Sequence, residues 1–330
     1  MIRTRRWAFL LAALVGAALV VLACGGGDFD PVSKVDSVRM FGVRSDKPYA
    51  RPGDTVTFET MVTDARRDRP RPLTVYWIPF TCINPQDDLY YLCFLPGEGG
   101  AGATTALGQI PRNVDLGQVL PKGNTYSITL PQDMIVPRSG TRPYGLAIVF
   151  NIACAGQVRI ADRAGDNPQQ VPIQCTDENG TALPPSDYVI GINRVYAYDS
   201  VTNTNPVVSA VRLDGGVVDM EAGVTLPRCT TRKLDDCPPV AFDVDVPESS
   251  WEENASENQV VHEQIWVAYY SDQGKFKDDA RLLYDTRSGK VDESRVEYRA
   301  PKDPGEGNIW MVVHDNRTGA AFITFPLHIQ

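Results

Sequence analysis

A chain of 330 residues, 43% of them hydrophobic, is long enough for two domains with real cores. Its formal charge of −9 at pH 7 excludes nucleic acid and anionic lipid headgroups as expected partners, because an acidic surface repels both. Only 22% of the residues are charged and the two signs are mixed without long blocks, as on an ordinary solvated surface.

The chain opens with Arg3, Arg5 and Arg6, followed by an apolar run from Trp7 to Ala23 and then Cys24-Gly25-Gly26-Gly27-Asp28. This order predicts a secretory signal over residues 1–23 that is removed from the mature protein. An uncleaved transmembrane anchor is the alternative, since the run reaches the short end of the roughly 17–25 residues that span a bilayer. Against it, glycines and aspartate follow the run, with no aromatic or basic anchor at that boundary. Val21-Leu22-Ala23-Cys24 resembles the lipobox of bacterial lipoproteins. The resemblance implies that Cys24 is diacylated through its sulfur and becomes the new N-terminus, so that the membrane is met through this lipid. Gly25 in the next position implies delivery to the outer membrane, on its periplasmic or cell-surface face. Loss of the signal with its three arginines moves the formal charge from −9 to −12.

Residues 24–34 read as the lipidated cysteine and a short tether, and 35–198 as a first β domain. Arg51-Pro52-Gly53-Asp54 is a turn, after which Val56, Phe58, Thr60 and Val62 alternate with Thr55, Thr57, Glu59 and Met61. Leu73, Val75 and Trp77 form a second alternating set, Tyr126, Ile128 and Leu130 a third, and Leu146, Ile148, Phe150 and Ile152 a fourth. Period two places each set on one face of a strand. A polar stretch at 199–206 reads as a linker. The second domain, 207–330, restarts at Val207 and continues through Ala241–Val246, Gln264–Tyr270, Arg295–Tyr298, Asn308–His314 and Ala320–Ile329. Asp315-Asn316-Arg317-Thr318-Gly319 joins the last two as a hairpin connection. No segment shows a useful 3.6-residue period, and 25 prolines and 27 glycines supply the turns. Many short strands with regular turn signals predict an all-β fold of sandwiches or barrels.

Six cysteines remain after Cys24: Cys82, Cys93, Cys154, Cys175, Cys229 and Cys237. An even number in an exported chain reads as disulfides, and six allow fifteen connectivities. They fall in three separated sequence pairs, so Cys82–Cys93, Cys154–Cys175 and Cys229–Cys237 are the expected bonds. Each closes a short loop worth about 2–3 kcal/mol. There is no C-x-x-C and no nearby histidine to complete a zinc site.

Arg51-Pro52-Gly53-Asp54-Thr55-Val56-Thr57-Phe58, followed by Trp77 on a later strand, resembles the opening of an immunoglobulin-like module. Tyr298-Arg299-Ala300-Pro301, Pro304-Gly305, Trp310 to Asp315 and Gly319 are similar to the closing strands of bacterial Ig-like modules. The resemblance implies two Ig-like β-sandwiches in tandem, the first carrying a long excursion over 82–121, and a scaffold or interaction role. A fold of this kind leaves the function open.

Catalytic patterns are scarce. There is no G-x-S-x-G elbow and no P-loop; Gly97 to Gly102 is glycine-rich but lacks the lysine. His262-Glu263 begins like a zinc-peptidase motif, but Trp266 stands where the second histidine is needed. His262, His314 and His328 all lie in apparent strands and read as strand residues. Asp243, Asp245, Glu248, Glu252, Glu253 and Glu257 match no calcium loop, and no metal or cofactor is implied. Three N-x-[ST] sites, at Asn179, Asn254 and Asn316, read as chance matches in the bacterial cell that the lipobox resemblance implies. The best recognition candidate is the excursion from Phe80 to Gly97, with Phe80, Asp87, Asp88, Tyr90, Tyr91 and Phe94 pinned by Cys82–Cys93. Pre-organised aromatics bring large contact area at small entropy cost. The alternative is that Phe94 and a tyrosine fold back to cover the sandwich edge. The expectation is therefore a non-enzymatic envelope lipoprotein for adhesion or assembly, meeting another envelope protein. A glycan or nutrient receptor using the 80–97 loop, with a surface glycan as ligand, is the rival.

Overall fold

The computed structural model describes residues 30–94, 114–138, 142–161, 170–256 and 259–330. The signal, Cys24 and the glycine-rich 97–102 stretch lie outside these residues. Strands and short 3-10 turns make up the regular structure, with no α-helix among the described residues. None of their helices is long and apolar enough to cross a membrane.

The first sandwich is built from β1 (Val38–Ser45), β2 (Tyr49–Ala50), β3 (Thr55–Asp64), β4 (Thr74–Ile83), β5 (Thr125–Thr129), β6 (Gly145–Cys154) and β9 (Tyr188–Ala197). One sheet runs β1-β3-β5 and the other β2-β9-β6-β4; β2 is parallel to β9, and every other pairing in these two sheets is antiparallel. In the Ig order β1, β3 and β5 take the A, B and E positions, while β4, β6 and β9 take C, F and G. Pro48 marks the point where the first strand leaves one sheet before β2 joins the other.

Alternation dictates the core. Val56 and Phe58 point inward from β3, Val75 and Trp77 from β4, and Ala147 and Val149 from β6. Trp77 is fully buried beside Phe58, and its indole N–H donates to the Gly123 carbonyl at 2.9 Å. All ten residues of β6 are buried, because its outer face is covered as well. There Leu146, Ile148, Phe150 and Ile152 lie beneath the excursion and a hairpin of β7 (Gln157–Ile160) and β8 (Ile173–Thr176). This outer layer is stapled twice: Cys82–Cys93 ties the excursion to β4, and Cys154–Cys175 ties β8 to the end of β6. The first module is thus three layers deep.

The second sandwich comprises β10 (Ala210–Leu213), β11 (Gly216–Val217), β12 (Val224–Leu226), β13 (Val240–Asp245), β14 (Glu253–Ser256), β15 (Gln259–His262), β16 (Ile265–Ser271), β17 (Lys275–Phe276), β18 (Ala280–Asp285), β19 (Gly289–Lys290), β20 (Val296–Arg299), β21 (Gly305–Asp315) and β22 (Ala320–Ile329). Its sheets run β11-β10-β13-β20-β17 and β12-β22-β21-β16-β18-β19, and β14 pairs β15 as a separate hairpin. Again a short strand, β12, lies parallel on the last strand, β22. Phe242, Tyr298 and Phe276 of the first sheet meet Tyr269, Met311 and Phe325 of the second across the core. Gly223 holds φ +71° just before β12, where a Cβ would stand 2.1 Å from the Pro326 carbonyl oxygen. Cys229–Cys237 closes the loop between β12 and β13. The chain is therefore all-β, two Ig-like sandwiches in tandem.

The sandwiches pack face to face. Phe41 of β1 stacks on Trp310 of β21 at 5.0 Å and meets Tyr270 of β16 at 4.9 Å, with Val35, Val312 and Ala320 around them. Arg44 lies over the Phe322 ring at 5.0 Å. Residues 33–35 run beside the end of β16, where Val35 N–H donates to the Ser271 carbonyl and Ser271 N–H to that of Ser33, each at 2.9 Å. At the other end of the seam, Asn205 donates to the Ser45 carbonyl at 2.7 Å and Thr318 to that of Pro48 at 3.1 Å. Residues Val32–Gln330 form one unit as a result.

Candidate recognition surface

The excursion folds back on the first sandwich. Phe94 is buried against Phe150 at 4.8 Å, and Phe80 stacks on the same ring at 6.3 Å. Burying an aromatic ring of this size is worth about 2–3 kcal/mol, which holds the excursion in place. Tyr90 packs against the same cluster and meets Tyr91 edge-on at 5.7 Å. Asp87 is exposed, and Asp87 and Asp88 both take left-handed backbone conformations, φ 51° and 56°.

Asp88 has a different task from its neighbours. Its carboxylate accepts from the Tyr144 hydroxyl and lies 2.9 Å from a guanidinium nitrogen of Arg138. Arg138 also donates to the Asn84 side chain at 3.2 Å and lies over the Tyr144 ring at 4.6 Å. Asn84 in turn donates to the Met134 carbonyl at 2.6 Å and accepts from Leu146 N–H at 2.8 Å. The loop therefore braces a tyrosine that precedes β6. Burial, reinforced by the Asp88 hydrogen bond, pushes the Tyr144 hydroxyl up to about 12, so it stays a donor at neutral pH.

Tyr144 begins a chain of four rings. It lies 5.5 Å from Tyr196 and 6.0 Å from Tyr198, and Tyr198 lies 4.7 Å from Tyr49. All four are half-buried, which leaves part of each ring for a ligand. Burial raises the hydroxyls of Tyr49 and Tyr198 above their ordinary value. Arg142 and Arg194 are exposed beside this cluster and make no ion pair among the described residues. In a chain of net charge −9, two arginines without ion pairs among the described residues thus stand beside an aromatic cluster. The sequence carries one signal of it: in Asn193-Arg194-Val195-Tyr196-Ala197-Tyr198 the tyrosines alternate with core-facing Val195 and Ala197. Tyr49, Arg138 and Tyr144 arrive from separate segments and have no such signal.

A second polar cluster sits at the seam. Arg317, in the β21–β22 turn, donates to Glu263 at 2.9 Å, to Glu252 at 2.8 Å and to Asn203 at 2.5 Å. Asn203 donates to Asp315 at 3.1 Å, and Arg317 lies over the Tyr49 ring at 5.5 Å. Glu263 is fully buried; desolvation first, then the nearby Asp315 charge, push its carboxyl up to about 7 despite Arg317. Asp315 is raised too, mainly by burial. Apart from one buried Glu263 carboxylate oxygen, these groups are bonded to one another and to the backbone, so their arrangement is that of a joint.

The histidines are spread over the second sandwich. His262 stacks on Trp251 at 3.7 Å, His314 on Trp266 at 5.2 Å, and His328 contacts Glu306. Burial lowers the His314 pKa. In the acidic stretch, Asp243 accepts from Ser294 at 2.8 Å and Asp245 from Arg212 at 2.5 Å; Glu257 lies outside the described residues. No group of three or more metal-ligating side chains converges among the described residues.

No protein-family model matches the chain, and no curated protein does. Among solved structures it is similar to the fibronectin(III)-like modules of Clostridium thermocellum CbhA, with 10% identity, 88% of this chain and 94% of that one covered, and a TM-score of 0.20. Similarity to the tandem Ig repeats of Dlar reaches 8% identity and a TM-score of 0.23, over 90% of this chain and 99% of that one. The C-terminal domain of the Streptococcus pyogenes antigen I/II-family protein AspA matches with 9% identity, 88% and 98% coverage, and a TM-score of 0.18. At TM-scores this low the likenesses carry neither fold nor function. The strand order described above carries the fold.

Proposed function

We propose that the chain is a non-enzymatic lipoprotein of the bacterial envelope, held at the outer membrane by lipid on Cys24, and that it works as an adhesion or assembly module. The observation that carries the binding reading is the tyrosine cluster, braced by a disulfide-pinned loop and fixed on two locked sandwiches. Pre-organised aromatic rings bind without a large ordering cost. A lipid anchor would add to this by raising the local concentration of the site at the membrane. Support for the lipid comes from the Val21-Leu22-Ala23-Cys24 sequence. Mass spectrometry of the mature N-terminus tests it: a diacylated Cys24 is expected, and an unmodified Cys24 or a retained Met1 overturns it.

The glycan-receptor reading is favoured by one specific feature, the partly exposed rings of Tyr144 and Tyr196, since aromatic rings suit stacking on sugars. Within the excursion itself Phe80 and Phe94 are spent on packing, which moves that reading from the 80–97 loop to the neighbouring cluster. A glycan array probed with wild type and a Tyr144→Ala, Tyr196→Ala double variant separates the two. Glycan binding lost in the variant favours the receptor; no glycan binding by wild type removes it.

A further inference from the structure

The sheet β2-β9-β6-β4 has two edges, and they are treated differently. The β4 edge is closed by the chain itself: Trp77 N–H donates to the Pro121 carbonyl at 2.9 Å and Gly123 N–H to that of Val75 at 3.0 Å. The β9 edge has backbone pairing only at its far end, where β2 pairs with Tyr196 and Ala197. Tyr198 N–H donates outward to the Ala50 carbonyl at 2.9 Å. Strand periodicity then aims the backbone N–H and C=O of Arg194, Ile192 and Ile190 the same way, and they have no partner among the described residues. A groove of about 550 Å³ runs along this stretch, lined by Met40 and Val43 of β1 and by Ile190, Ile192, Arg194 and Tyr196 of β9. The open stretch Val189–Arg194 spans roughly 20 Å at about 3.3 Å per residue. An edge of this length in the plane of an existing strand is a template for another one.

We propose that the open edge of β9 docks an extended peptide segment of a partner protein, which adds a strand in line with β2 and sets a carboxylate side chain against Arg194. Backbone bonding to Ile190, Ile192 and Arg194 gives the affinity, and the apolar floor selects alternate apolar side chains. The charge of the segment follows from Arg194, an exposed cation with no ion pair among the described residues, with the uncommitted Arg142 near Tyr198 adding the same sign. The inference rests on the interaction-module reading and names the chemistry of the partner.

The test is a displayed library of random seven-residue peptides, panned in parallel on the folded wild type, on Arg194→Glu and on Ile192→Pro. Proline at 192 removes an outward N–H and leaves the β6 ladder bonds of its neighbours. Wild type is expected to enrich peptides with alternating apolar residues and an acidic residue. Arg194→Glu should retain them at least tenfold less and enrich basic ones instead. Because Ile192→Pro is open to misfolding, hydrogen exchange on wild type with one enriched peptide gives a second reading: the amides of Ile190, Ile192 and Arg194 should slow at least tenfold. Enriched peptides that ignore Arg194→Glu, or that protect amides elsewhere, overturn the proposal, as does the absence of any enriched peptide. If no peptide is enriched while the chain still crosslinks to an envelope protein in cells, the edge inference fails and the interaction-module reading stands.

Discussion

Replacing Glu263 by Gln should stabilise this protein far more at alkaline pH than at mildly acidic pH. Glu263 is fully buried, and its carboxyl is raised from 4.5 to about 7. A carboxyl raised on folding favours the protonated form, so its stabilising contribution is complete below pH 4.5 and is lost as pH rises through about 7. The shift corresponds to about 3 kcal/mol at 1.36 kcal/mol per unit. Glutamine keeps the shape and an acceptor for Arg317 but cannot ionise, and Arg317 retains Glu252 and Asn203. Thermal unfolding of both proteins at pH 5, 6, 7 and 8 reads the effect. Glu263→Gln should melt about 6 °C above wild type at pH 8 and only about 1–2 °C above it at pH 5. A difference that is the same at both pH values, or a variant less stable than wild type at pH 8, refutes the burial argument.

Three further outcomes follow from the packing and from the cluster. Phe41→Ala removes the ring wedged between Tyr270 and Trp310 and should cost about 3 kcal/mol; limited proteolysis should then cut near 199–206, where wild type resists. Replacing Cys82 and Cys93 together by alanine should cost about 3 kcal/mol by urea denaturation, while the Cys154–Cys175 bond remains in a non-reducing peptide map. Asp88→Asn removes the charge that helps hold up the Tyr144 hydroxyl, so ultraviolet titration should show that tyrosine ionising at lower pH than in wild type.

The strands were legible because each carries a period-two pattern against turns. The even cysteine count, in three sequence-local pairs, pointed to the three bonds found. Two features hid behind the same rules. Alternation in Gly145–Cys154 marked two sets of residues, yet the strand is buried on both faces, because the covering layer comes from distant segments. Outward apolar residues such as Phe41, Tyr270 and Trp310 look alike on a strand whether they meet water or a second module. The Arg317 joint was illegible for a related reason: its partners Glu263 and Asn203 lie 54 and 114 positions away. In the sequence Asp88 reads as a ligand group, whereas its bonds to Tyr144 and Arg138 depend on a backbone path that no local pattern encodes. The tyrosines came together through topology, since β2 returns to pair with the end of β9 and Tyr144 enters beside it.

Site-specific photo-crosslinking in living cells, with the reactive residue at position 196 and a control at position 217, tests the binding role most directly. Val217 is exposed on a short strand of the second sandwich. A discrete adduct with one envelope protein from position 196, absent from position 217, is the expected result. No adduct at 196, or the same adducts at both positions, would contradict a recognition role for this surface.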